Sequence, residues 1–176
     1  MKNKILILIA CLSIVACKID NQTKTRATST ISKLEIPNDS ILKHQLELIG
    51  VEDQTLRLLL PEVIEKFGRD SKENDYIWSL INRQDSICIN RLTKIIDKHG
   101  WLGKNIVGDK ANQAIWLIMQ HAELEIQEKY LPLLEESVTK GESQGWHLAF
   151  LEDRVLMYNK KKQKYGTQAI WDSNLK

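Results

Sequence analysis

Apolar and polar positions recur with helical spacing over most of this chain. Leu42, Leu46, Ile49, Leu56, Leu60, Val63 and Phe67 share one face, after Asn38-Asp39-Ser40, whose side chains can cap free amides. Pro61 fits best as the first residue of a separate short helix, which Gly68 ends. Asp70-Ser71 opens a long second helix with the stripe Trp78, Ile81, Cys88, Leu92 and Ile95, stopped at Gly100. Asp109 caps a third, with Ala111, Ala114, Ile115, Ile118, Met119 and Ala122 inside. A fourth runs from Leu124 to Thr139 with a kink at Pro132, and Gly145 to Asp153 reads as a short fifth. Then the period changes. Val155-Leu156-Met157-Tyr158 and Gln163-Lys164-Tyr165, joined across Asn159-Lys160-Lys161-Lys162, predict a small β-hairpin with a polar turn. The expected fold is mainly α: about five helices and a C-terminal β-hairpin in a single domain over residues 38–176.

The N-terminus follows a different pattern. A basic start at Lys2 and Lys4 precedes Ile5–Ala16, an apolar run shorter than the ~20 residues that span a bilayer. Charged start, short apolar core and small residue before a cut site describe a secretory signal. Ile14-Val15-Ala16-Cys17 resembles a bacterial lipobox. The resemblance implies removal of residues 1–16 and a lipid on Cys17. Residues 17–37 are mostly Thr, Ser, Asn, Lys and Gln, too polar to form a core, and read as a tether spanning roughly 20 Å. The expected location is the bacterial cell envelope, with the lipid on Cys17 as the membrane contact.

Composition narrows the classes further. The net charge is +2, and two of the lysines, Lys2 and Lys4, leave with the signal. A near-neutral mature chain without a long basic run gives no reason to expect a nucleic-acid partner. Cys88 is the one thiol left after Cys11 departs and Cys17 is modified, so no internal disulfide is expected.

Several residues break the apolar stripes. Helical spacing carries Leu46 and Ile49 onto Asp53, and Trp78 and Ile81 onto Asp85. A buried carboxylate needs a partner, and Arg57, four residues after Asp53, is the local candidate. His121 follows Ala114 and Leu117 at helical spacing beside Gln120. Imidazole titrates near ~6.5, which makes His121 the best candidate general base. Glu125 stands four residues on, but no third ligand follows at a recognisable spacing, so neither a metal nor another cofactor is expected. Asp153-Arg154 lies where the fifth helix meets the hairpin, and Arg154 offers a planar fork of donors. Tyr165 and Gln168 add a phenol and an amide around Gly166.

Together these residues resemble a known pattern. Asp53-Gln54-Thr55-Leu56-Arg57, Gly100-Trp101, Val107-Gly108, Gln120-His121-Ala122, Asp153-Arg154-Val155 and Tyr165-Gly166-Thr167-Gln168 are similar to the motifs of an uncharacterised bacterial domain family. Its members are often small secreted or lipid-anchored proteins. The likeness covers roughly residues 39–168. Leu102 stands where the pattern often has Pro, and Glu123 keeps an acid after Gln-His-Ala. The family implies no activity.

Two functions are expected from the residues. The first is a lipid-anchored envelope protein that binds a small polar ligand, a peptide or an envelope protein through Asp53, Arg57, Gln120, His121, Asp153, Arg154, Tyr165 and Gln168. The second is a metal-independent hydrolase or lyase. In it His121 is the base, Asp53 or Asp85 its orienter, and Arg154 with Tyr165 stabilises developing negative charge.

Overall fold

The computed structural model of this chain describes residues 38–168. The signal (1–16), Cys17 and the tether (17–37) lie outside the described residues. Five long helices and one short one form the domain: α1 (Asn38–Thr55), α2 (Leu60–Phe67), α3 (Lys72–His99), α4 (Lys104–Met119), α5 (Leu124–Thr139) and α6 (Gly145–Tyr158). A single 3₁₀ turn, Leu56–Leu59, joins α1 to α2. Pro61 sits in the first turn of α2, where its fixed φ already suits a helix. Ser71 caps α3 by accepting from the Asn74 N–H. Pro132 is accommodated inside α5.

The core is built by apolar faces from every long helix. Leu46 and Ile49 meet Cys88, Leu92 and Ile96 from α3, Ala111, Ile115 and Met119 from α4, Tyr130 and Leu134 from α5, and Leu151 from α6. The apolar stripes are longer than the core they feed: Phe67 and Trp78 lie on them and are 46% and 43% exposed. α1 packs mainly against α4. Gly50 permits the contact, since a Cβ there would stand 2.6 Å from the Ala114 Cβ. Lys43 lies against Gly108, Gly50 against Ala114 and Asp53 against His121, so α1 and α4 run in the same direction. This register delivers Asp53 to the C-terminal end of α4. Gly108, with φ 81°, bends α4 just before Asp109.

The C-terminal β-hairpin is not formed. The described residues contain no strand; α6 continues to Tyr158, and 159–168 is irregular. His147, Leu151 and Val155 bury one face at four-residue steps, which is helical spacing. Lys160, with φ 57°, then stops the helix in the left-handed conformation that glycine usually supplies. The Lys161 N–H reaches back to the Leu156 carbonyl at 2.8 Å, and the Lys160 N–H to that of Met157 at 2.9 Å, closing the end. A lysine in that role is why the stop is hard to see in the sequence.

Candidate functional site

Four side chains from three separated segments converge at one end of α1. Asp53 closes the buried face of α1, Arg57 extends from the 3₁₀ turn, Asp85 faces inward from α3, and His121 occupies the tight turn between α4 and α5. The Asp53 carboxylate is fully buried. His121 Nδ1 lies 3.2 Å and 3.1 Å from its two oxygens, and Gln54 Nε2 donates to Oδ2 at 2.6 Å. Arg57 faces the other carboxylate. Its Nη1 and Nη2 donate to Asp85 Oδ1 and Oδ2, both at 2.8 Å, in a fork-to-fork pair. Nη1 also donates to the Asp53 carbonyl at 2.9 Å, which ties the guanidinium to the end of α1. Arg57 therefore takes Asp85, 28 positions away, as its main partner. Asp53, four residues away, is only 3.9 Å from it at the side chains.

Ligand atoms of Asp53, Asp85 and His121 all lie within 4.8 Å of one another, a spacing that could surround a cation. The positive charge at this place is the Arg57 guanidinium. A metal ion would have to share the Asp85 carboxylate with this guanidinium and sit against its positive charge, so the donor set fits an internal ion pair better than a metal centre.

One wall of the site is open. His121 and Asp85 line a cleft of about 520 Å³ together with Asn82, Ser86, Asn90 and Glu123, among others. That volume is in the range of small-molecule sites. Asn82, Ser86 and Asn90 were not legible as site residues. Their signal is a four-residue spacing beside Asp85, which any solvated helix face also shows.

The other residues expected at the site do not line this cleft. Gln120 is buried, and its carbonyl accepts from Arg154 Nη1 at 2.7 Å and Gln127 Nε2 at 3.2 Å. Arg154 thus braces the backbone of the Gln-His turn from α6, and burial lowers its pKa. Asp153 is also fully buried. It gathers the backbone N–H groups of Lys164 (2.6 Å), Tyr165 (3.0 Å) and Thr167 (2.8 Å). Burial pushes this carboxyl up, but the donated hydrogen bonds outweigh it and hold the pKa below the ordinary value. Amides that a strand would pair in a ladder are spent on one carboxylate, a second reason that no hairpin forms. The Tyr165 ring is half exposed, and Gln168 Nε2 donates to the Phe150 carbonyl at 3.1 Å. The Asp-Arg and Tyr-Gly-Thr-Gln motifs form a clasp that pins the C-terminal segment to α6 and α6 to the Gln-His turn.

Residues 42–175 match the model of a family of unknown function, DUF6624. The chain belongs to this family. No curated protein and no solved structure matches it. The DUF6624 match spans both the four-residue cluster and the clasp, so in this chain both lie within the family domain.

Proposed function

We propose that the cleft binds a small polar ligand or peptide and that His121 acts on it as a general base, in a metal-independent hydrolysis or elimination. The observation that carries this reading is the bond from His121 Nδ1 to a fully buried carboxylate while His121 borders an open cleft. A carboxylate on Nδ1 fixes the tautomer, leaving Nε2 with its lone pair, and stabilises the imidazolium formed when Nε2 takes a proton. In hydrolysis that proton comes from water, whose oxygen adds to the electrophilic carbon; the imidazolium then returns a proton to the leaving group. Arg57 keeps the Asp85 carboxylate from competing for the imidazole. Arg154 and Tyr165, away from the cleft lining, serve the clasp in this reading.

The test is release of p-nitrophenol from acetyl and aminoacyl p-nitrophenyl esters by the full chain. His121→Ala is expected to lower the rate by about 10²–10⁴-fold, with Asp53→Asn impaired in the same direction and both variants still folded by circular dichroism. Equal rates in parent and His121→Ala would remove His121 from any chemistry. A second reading, a binding module without turnover, is favoured by the neutral amide and hydroxyl groups of Asn82, Ser86 and Asn90 along the cleft.

The same proposal places the domain at the bacterial envelope on a lipid carried by Cys17. None of the described helices is long and apolar enough to cross a membrane, so attachment in this reading depends on the lipid. Metabolic labelling with an alkyne fatty acid should mark the parent chain and leave Cys17→Ser unlabelled. Equal labelling of both would refute the anchor.

A further inference from the structure

Resting on the reading of the cleft as a ligand site, we propose that its ligand is an extended peptide segment of neutral or positive charge, lying along α3 with its main chain read by Asn82, Ser86 and Asn90. These side chains sit at four-residue intervals on the cleft wall. Each interval rises about 6 Å along a helix. An extended chain repeats every two residues, or about 6.7 Å. Over the whole ladder the mismatch is on the order of 1 Å, within the reach of a carboxamide. Every second residue of an extended peptide turns its N–H and C=O toward the same edge, and an Asn carboxamide can meet both at once.

The polar groups are available for this. Among the described residues, no protein group pairs with the Asn82 or Asn90 carboxamide; their backbone carbonyls accept from Ser86 Oγ (3.0 Å) and Thr93 Oγ1 (3.3 Å). With their protons committed, the Ser86 and Thr93 hydroxyls present lone pairs, which suit peptide N–H groups. Ile89 and Ile126 line the same cleft and offer apolar seats for a side chain.

Charge selects the peptide. Asp85 and Glu123 line the cleft, and no lysine or arginine is among its lining residues. Arg57 balances Asp85, which leaves Glu123 to make the wall net negative. A phosphorylated or carboxylate-rich ligand meets repulsion there, and a lysine side chain or free amino end meets attraction. No Phe, Tyr or Trp lines the cleft, so a planar base or sugar face lacks the large aromatic platform it would stack on.

The test is fluorescence anisotropy with the full chain and end-blocked, labelled pentapeptides: Ala-Lys-Ala-Lys-Ala, Ala-Glu-Ala-Glu-Ala, and the first with its two lysines N-methylated on the backbone. The basic peptide is expected to bind at least about tenfold tighter than the acidic one. Backbone methylation, which leaves every side chain in place, is expected to weaken it about tenfold, the loss of one to two hydrogen bonds. Asn82→Ala with Asn90→Ala should weaken it about 10- to 30-fold, and both sites are exposed enough for the variant to melt with the parent. No binding of the basic peptide, or binding indifferent to both backbone methylation and the Asn pair, overturns the proposal. Retention of tight peptide binding by a His121→Ala chain, with no esterase loss in that chain, would sink the acid–base reading and leave the peptide site standing. Esterase activity dependent on His121 without peptide binding would do the reverse.

Discussion

Arg57→Ala should destabilise the domain by about 3 kcal/mol, lowering the melting temperature by roughly 10 °C. The side chain of Arg57 is 16% exposed and that of Asp85 12%. Removing the guanidinium leaves Asp85 without its two 2.8 Å bonds and brings two carboxylates, from Asp53 and Asp85, together without a cation between them. Breaking a largely buried pair from one side costs more than the pair contributes, because a charge is left behind. Arg57→Ala combined with Asp85→Ala should recover part of the loss, with a coupling of about 1–3 kcal/mol in a double-mutant cycle. Chemical denaturation of the four chains measures it. Additive losses would show that the fork-to-fork contact is not formed.

The second large effect is acid sensitivity centred on His147. This residue is 1% exposed. Its ring stacks on Trp116 at 4.8 Å between centroids and makes a T-shaped contact with Trp146 at 4.1 Å. Among the described residues neither of its ring nitrogens has a hydrogen-bond partner. Burial pushes its pKa down to about 4 from 6.5. The folded chain therefore keeps the imidazole neutral where the unfolded chain protonates it. Above the unfolded value the residue is neutral in both states and stability does not depend on it. As the pH falls from about 6.5 to about 4 the unfolded state gains a proton that the folded state refuses, and on the order of 3 kcal/mol is lost. His147→Phe keeps an aromatic ring in the nest and removes the titration. Its stability should decline less than that of the parent over this window, as followed by denaturant unfolding at stepped pH. Parallel declines would mean that His147 is hydrated or hydrogen-bonded in solution.

The helices were legible because their chemistry is local. Ile115, Ile118 and Met119 repeat at helical steps and are fully buried, and Leu124–Thr139 was readable to its ends. The stretch after Asp153 was misread because Val155 to Tyr158 is too short to distinguish a helix from a strand, and because a lysine holds the left-handed stop at position 160. Half of the site was visible for a related reason. Asp53 and Asp85 interrupt apolar stripes, and a carboxylate on a buried face demands a partner. Which partner each takes depends on how α1 meets α3 and α4, and chain spacing carries no record of that. Arg57 thus suggested Asp53 at four residues and found Asp85 at 28. The clasp residues have motif-like sequences with the same look as a ligand site, and only their hydrogen bonds assign them to the scaffold. Asn82, Ser86 and Asn90 were silent because an exposed polar row on a helix is ordinary until a second wall faces it.

The chemistry of the cleft depends most on how the imidazole of His121 is held. Long-range ¹⁵N–¹H correlation spectra of the histidine rings, recorded at alkaline pH, read this directly. The His121 ring should carry its proton on Nδ1, with Nε2 bare, and Asp53→Asn should shift the population away from that form. A His121 ring protonated on Nε2 in the parent chain would mean that Asp53 does not orient it, and the acid–base site would be withdrawn.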